Sequence, residues 1–194
     1  MNVLPQIGDK DIFDKINSND LWCFDKLILS KKLGYICGPA GIAPPIPEYY
    51  IVRPIINLKM MSVGAKIEYL DSDSIPDGYF WCELFSGRHF SFDYYWGKQV
   101  LSVEGFRDNP TKLNKFNRWT KIDYEFKLPK ILQDVADKYE WFNAEVIGDK
   151  VIEVHFRYND DFANHNANTI IPIWQDEFYS SPAGNRIGFL LKDF

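Results

Sequence analysis

The sequence predicts an α+β fold, because its strand-like segments are interspersed with helices and are joined mostly by connections of hairpin length. At 194 residues, the chain is long enough for one domain or for two small lobes that share a cleft. Aromatic residues make up 16% of it, which favours strands and large buried surfaces. Its formal net charge of -5 argues against broad binding to nucleic acid or to an anionic membrane.

The first quarter of the sequence predicts two short helices and then a linker. The helices fall in residues 9–35, with Asp20 as a predicted N-cap and Gly34 as a predicted C-cap. The linker "GPAGIAPPIPE" contains four prolines and two glycines, which exclude a helix and a central strand.

Several features predict a cytoplasmic protein without a membrane partner. No apolar run approaches the roughly 18 residues that a membrane helix needs, and the first residues lack the basic and apolar regions of a secretory signal. The cysteines are odd in number and widely spaced, so we expect reduced, mostly buried thiols and neither a zinc site nor a disulfide frame. They are Cys23, Cys37 and Cys82.

Strand-like segments fill the middle of the chain. "YYIVRPIINL", interrupted by Pro54, and "AKIEYLD" read as strands. "GYFWCELF" and "HFSFDYYW" flank "SGR" and predict a long hairpin, and "QVLSVEGFRD" continues the sheet. The clearest helical spacing lies in "LPKILQDVADKYEW", where Pro129 suits the first turn. Periodicity does not assign the tail from residue 159 onward.

The segment "WFNAEVIGDKVIEVHFR" predicts two adjacent strands, the second of which has one polar face carrying Glu153, His155 and Arg157. Whether the first strand joins that face depends on the turn. A two-residue loop puts Glu145 and Glu153 on opposite faces, whereas a three-residue loop pairs Glu145 with Glu153 and Asn143 with His155. Both loop lengths are common in hairpins.

Two adjacent carboxylates cost up to about 1 kcal/mol without a cation, and a divalent metal would reverse that sign. Hard oxygen ligands suit magnesium. The alternative is a solvated sheet face whose acidic side chains are balanced by Arg157 and Lys150.

This segment resembles the metal-binding hairpin of the ATP-grasp superfamily, in which an acidic residue on one strand precedes a Glu-x-Asn-x-Arg run on the next. Glu145 and Glu153 match the two acids, His155 stands where Asn is usual, and Arg157 follows. The resemblance implies that Glu145, Glu153 and His155 are metal ligands and that Arg157 is catalytic.

Other segments resemble the same family in the same order, over about residues 24–158. "DKLILSKKLGY" resembles its Asp-Lys-leading helix and "YYIVRP" its phosphate-binding strand. "MMSVGAKIEYL" resembles its phosphate-covering loop and "FWCELFSGRHF" the hinge that holds adenine. The nucleotide-binding residues implied are Lys26, Arg53, Ser62, Cys82, Glu83, Leu84 and His89.

The resemblance implies one minimal ATP-grasp-like domain over residues 1–194, with lobes at about 24–80 and 81–194 and a nucleotide cleft between them. Antiparallel sheets and flanking helices are expected in both lobes. The implied function is an ATP- and magnesium-dependent ligase that joins a carboxylate to an amine or thiol through an acyl phosphate. Its substrate would be a small molecule or a peptide.

The sequence departs from the family pattern in ways that keep a second function open. The phosphate-covering loop has few glycines, His89 stands where a ribose-binding carboxylate is expected, and His155 favours softer metals than Asn does. Only about 25 residues precede the matching segments, so we expect a partner protein or a second copy to supply the large substrate domain of complete family members, as suits a phage genome. The alternative is an inactive nucleotide-binding or structural relative, such as a viral accessory protein.

Overall fold

A computed structural model of the chain describes residues 8–56, 64–109, 112–163, 166–174 and 186–193. It contains two antiparallel sheets with short flanking helices, which confirms the predicted α+β class. No helix in these ranges combines the length and the apolar character needed to span a bilayer.

The N-terminal segment is a series of short helical turns. They are α1 (Asp9–Ile12), 3₁₀ turns at Phe13–Lys15 and Ser18–Phe24, and α2 (Lys26–Lys32). Asp25 caps α2, because its side chain accepts a 2.8 Å hydrogen bond from the Ile28 amide. The predicted cap Asp20 is wrong: its buried carboxylate instead accepts hydrogen bonds from Lys138 and Tyr139.

A small sheet of four strands follows α2, in the order β1-β4-β2-β3. Its strands are β1 (Cys37–Pro39), β2 (Glu48–Pro54), β3 (Lys66–Leu70) and β4 (Tyr79–Glu83). One face holds a compact apolar cluster, because Tyr50, Val52 and Trp81 are buried there with Leu70. The opposite face, which carries Ile51 and Arg53, lies toward the second sheet.

The large sheet has seven strands in the order β11-β10-β7-β6-β5-β8-β9. They are β5 (His89–Tyr95), β6 (Lys98–Phe106), β7 (Arg118–Lys121), β8 (Trp141–Ile147), β9 (Lys150–His155), β10 (Thr169–Trp174) and β11 (Arg186–Lys192). Two helices accompany them, α3 (Lys130–Ala136), which is shorter than predicted, and α4 (Asp160–Ala163). Leu29 of α2 and Leu132 of α3 are fully buried in the same apolar core as Phe92 and Phe142 of this sheet.

The predicted hairpin between "GYFWCELF" and "HFSFDYYW" is wrong. Strand β4 pairs with β1 and β2, whereas β5 pairs with β6 and β8, so residues 84–88 connect the two sheets. Both strands are apolar enough to be central, and their local pattern does not specify a partner. The lobe boundary expected near residue 80 therefore falls inside β4, which belongs to the small sheet.

Candidate functional site

A two-residue turn, Gly148-Asp149, joins β8 to β9, so the three-residue loop is not formed. Glu145 nevertheless lies opposite Glu153, and Asn143 lies opposite His155, because a β-bulge shifts the register between the turn and the glutamates. The bulge places one extra residue in β9. It restores the side-by-side carboxylates that a regular two-residue hairpin would have separated.

Each of these carboxylates already faces a basic side chain. Lys26 Nζ lies 2.8 Å from Oε1 of Glu153, and Nε2 of His89 lies 3.4 Å from Oε2 of Glu145. Burial alone would raise the pKa of Glu145, but the hydrogen bond from Nε2 of His89 and the nearby charge of Arg157 lower it to about 2. Lys26, which the family resemblance assigns to the nucleotide, is thus ion-paired with an acid in this structure.

Asp9 in α1 contacts two further polar residues of this segment, His155 at the end of β9 and Arg157 just after it. Its carboxylate lies 2.7 Å from Nδ1 of His155 and 3.0 Å from Nε of Arg157, and all three side chains are buried. Burial raises the pKa of Asp9, but the charges and hydrogen bonds of His155 and Arg157 outweigh it, so the pKa is lowered. The sequence assigned no role to Asp9, since nothing local marks a contact with residues so far along the chain.

The polar network continues into the large sheet. The amide nitrogen of Asn143 donates to Ser91 Oγ and to Asp93 Oδ1, each at 2.7 Å. The other oxygen of Asp93 accepts a 2.9 Å hydrogen bond from the Asn159 amide. Burial raises the pKa of Asp93 to about 6, although these hydrogen bonds oppose the shift.

A cavity of about 300 Å³ lies between the two sheets. Its wall is mainly apolar, with Ile51, Ile67, Leu84, Ile147 and Ile152 among the lining residues. Its polar lining residues include Lys26, Arg53, Glu83, His89, Arg107 and Glu153. Five of the predicted nucleotide-binding residues therefore line one cavity: Lys26, Arg53, Glu83, Leu84 and His89. The predicted metal ligand Glu153 lines the same cavity.

Two arginines distinguish this cavity, the buried Arg53 and the half-buried Arg107. Arg53 donates to the Ile152 carbonyl at 2.9 Å, and Arg107 donates to Nδ1 of His89 at 3.1 Å. The Nε atom of each arginine is buried and has no hydrogen-bond partner in the described part of the chain. Burial lowers the pKa of both side chains. Sequence reasoning missed Arg107, whose surroundings match no motif.

A smaller cavity of about 130 Å³ lies beside the polar face of β9, which carries Glu153 and His155. Glu145, Glu153, His155 and Arg157 line one side of it. The unassigned tail lines the other side with residues that include Trp174 and the ion-paired Asp161 and Arg186. Because Glu153 lines both cavities, the two are neighbours.

Some predicted residues are not brought to the cavities. Cys82 lies fully buried in the middle of the small sheet, between β1 and β2, and does not line either cavity. Ser62 lies outside the described residues. Over the ranges that the structure covers, no three His, Cys, Asp or Glu side chains are arranged to hold a metal ion. His155 is 3.9 Å from Glu153, and its other ring nitrogen is taken by Asp9.

No family model and no curated protein matches the sequence. Among solved structures, the chain is similar to a protein from Archaeoglobus fulgidus named for the ATP-grasp superfamily, with 16% identity and a TM-score of 0.51 over 88% of this chain. It spans 64% of that protein's length.

Two further similarities fall below a TM-score of 0.5 and add nothing to the fold assignment. One is to an L-amino acid ligase from Bacillus licheniformis, with 12% identity, a TM-score of 0.48, and coverage of 76% of this chain and 43% of the ligase. The other is to the D-alanine–D-alanine ligase of Bacillus anthracis, with 18% identity, a TM-score of 0.39, and coverage of 70% and 57%. The chain thus has an ATP-grasp-like fold on the strength of the archaeal protein.

Proposed function

We propose that the chain binds ATP in the larger cavity and uses it to join a carboxylate to an amine or a thiol through an acyl phosphate. The observation that carries the proposal is a pair of arginines on the wall of one cavity, the buried Arg53 and the half-buried Arg107, each with a buried Nε that has no hydrogen-bond partner among the described residues. A buried cation whose donors are not all satisfied is unfavourable unless an anion reaches it. Phosphate oxygens are such anions, and the apolar remainder of the wall suits a nucleotide base.

The nucleotide would be held from both sheets. Arg53 and Lys26 would bind phosphate oxygens, and Lys26 would then exchange Glu153 for a phosphate partner. Main-chain groups of Glu83, the last residue of β4, and of Leu84, the first residue of the connection between the sheets, would pair with the edge of the base. His89 would face the ribose, held by its contact with Arg107.

The paired carboxylates fit a hard divalent cation, since they lie side by side at the junction of the two cavities. Glu145 and Glu153, with His155 as a third candidate, would hold magnesium, and its charge would offset that of the phosphate groups. Arg157, fixed by Asp9, would present its guanidinium to the acyl phosphate from the smaller cavity. The acceptor substrate, a small molecule or a peptide, would enter there, and a partner protein or a second copy would complete its site.

A second candidate function is nucleotide binding without catalysis. The observation in its favour is that both candidate metal-binding carboxylates already pair with basic side chains, Glu153 with Lys26 and Glu145 with His89. In a protein that binds nucleotide without catalysis, these two pairs would stay in place and the carboxylates would hold no metal.

The binding step is tested by thermal melting with ATP, ADP and GTP, each with and without magnesium. At a ligand concentration 100 times the dissociation constant, binding stabilises the native state by about 2.7 kcal/mol, which corresponds to about 5–10 °C. Arg53→Met should remove this shift and leave the nucleotide-free protein about as stable, because the lost charge is incompletely paired. Arg118→Met, which changes an exposed arginine away from both cavities, should keep it. Equal shifts in the two variants would contradict the assignment of Arg53.

Catalysis is tested by ADP release in the presence of a pool of carboxylates, amines and thiols. Glu153→Gln removes one charge at nearly constant shape. If magnesium bound by the glutamates stabilises phosphoryl transfer, this variant should release ADP on the order of a thousandfold more slowly while it remains folded. A wild-type protein that binds ATP but releases no ADP above background would favour the second candidate function.

A further inference from the structure

Cys37 and Cys82 face each other directly across the antiparallel strands β1 and β4. Cα atoms of directly opposed residues in such a pair lie roughly 4.5–5.5 Å apart, which is within the span of a disulfide. The two thiols are free and hydrogen-bonded to each other. Linking them therefore needs little movement of the backbone.

The two thiols differ in the way that a reactive pair requires. Cys37 is half-buried, whereas Cys82 is fully buried. The hydrogen bond from Cys82 lowers the pKa of Cys37 in spite of burial, and the charge of Lys31 adds to this effect. The same hydrogen bond, together with burial, raises the pKa of Cys82. The accessible sulfur is thus the one that ionises, and the buried sulfur keeps its proton.

The pair also lies beside the larger cavity. Arg53 on the neighbouring strand β2 is close enough to affect the pKa of both thiols. Strand β4 continues from Cys82 directly into Glu83 and Leu84, which line the cavity.

We propose that Cys37 and Cys82 form a peroxide-sensitive thiol pair that closes into a cross-strand disulfide. The Cys37 thiolate attacks one oxygen of hydrogen peroxide, the O–O bond breaks, and Cys37 sulfenic acid and hydroxide form. The sulfur of Cys82 then attacks the sulfur of Cys37, and the S–O bond breaks as water leaves with the thiol proton. Two thiols lose two electrons in total, and one peroxide becomes two waters.

The experiment treats the reduced wild-type protein with hydrogen peroxide and follows it by intact mass and by non-reducing peptide mapping. The expected product has lost two hydrogen atoms, carries a Cys37–Cys82 cross-link, and returns to the starting mass with dithiothreitol. Closing a loop of this length should raise the melting temperature by up to about 15 °C. None of these measurements requires nucleotide, so they succeed or fail independently of the proposed function.

Three variants identify the roles of the sulfur atoms. Cys37→Ser should leave Cys82 unreactive, and Cys82→Ala should stop at a Cys37 sulfenic acid that a dimedone probe captures. Cys23→Ser is the matched control, since burial raises the pKa of Cys23 to about 12 and it should not react in the wild type. A cross-link that includes Cys23 would overturn the proposal. So would oxidation of wild-type Cys37 to sulfinic acid without any cross-link, or a failure of both paired thiols to react.

Discussion

Replacing Asp9 by Asn removes one buried negative charge while it keeps the shape of the side chain. The carboxylate contacts Nδ1 of His155 at 2.7 Å and Nε of Arg157 at 3.0 Å, and its partners stay buried when it is neutralised. Hydrogen bonds to charged groups contribute about 1.5–3 kcal/mol each, and breaking a buried ion pair costs about 3–5 kcal/mol. Because Asn keeps one acceptor oxygen, we expect a loss near the lower end, about 3 kcal/mol. For a chain of this size that corresponds to about 6–12 °C.

Denaturant unfolding and thermal melting of Asp9→Asn measure this loss, with Asp14→Asn as a control that neutralises an exposed carboxylate of the adjoining 3₁₀ turn. The folded-state pKa of Asp9 is lowered, so its stabilisation is present above the ordinary value of 3.8 and is lost as pH falls through the folded-state value. The difference in the free energy of unfolding between wild type and Asp9→Asn should therefore be constant near neutral pH and shrink in strong acid. If Asp9→Asn and Asp14→Asn unfold at the same denaturant concentration as the wild type, the α1 contact does not hold the site together.

Two further predictions concern the large sheet and its turn. The folded-state pKa of Asp93 is raised to about 6, so the folded protein binds more protons than the unfolded chain between about pH 4 and 6. As pH rises through that window, the free energy of unfolding of the wild type should fall by up to about 3 kcal/mol relative to that of Asp93→Asn. Denaturant unfolding of the two proteins over this pH range measures the effect, and a difference that does not change with pH would refute the prediction. At Gly148, with φ of 63°, an added Cβ would lie 2.8 Å from the Ser86 carbonyl oxygen, so Gly148→Ala should cost about 1–3 kcal/mol in denaturant unfolding. Gly78→Ala, which has a similar φ and open space, should cost less, and an equal loss would mean that only φ matters.

Sequence reasoning located the site where the pattern was local. The alternation in "WFNAEVIGDKVIEVHFR" predicted two strands, and the structure has them as β8 and β9. The sequence left the pairing of Glu145 with Glu153 open, because the register depends on a β-bulge that no residue type in β9 indicates. The turn is the shorter of the two that were considered, and the bulge produces the register of the longer one.

Contacts between distant parts of the chain were beyond that reasoning. Asp9 reaches Arg157 only because α1 packs against the large sheet, and Arg107 reaches His89 only because β6, which it follows, pairs with β5. The thiols of Cys37 and Cys82 meet only because β1 pairs with β4. Periodicity predicts which face of a strand is buried, but the identity of a strand's neighbour is set by the whole topology.

The side chains that line the two cavities differ in net charge. Three basic side chains and two acidic ones line the larger cavity, an excess of one positive charge in a protein of net charge -5; they are Lys26, Arg53, Arg107, Glu83 and Glu153. The smaller cavity has two basic and four acidic side chains, an excess of two negative charges; they are Arg157, Arg186, Glu145, Glu153, Asp160 and Asp161. This difference supports the proposed placement of the anionic nucleotide in the larger cavity and of the amine acceptor in the smaller one. Glu153 lines both cavities, so in the proposed reaction it would lie between the nucleotide and the place where the acyl phosphate meets the amine.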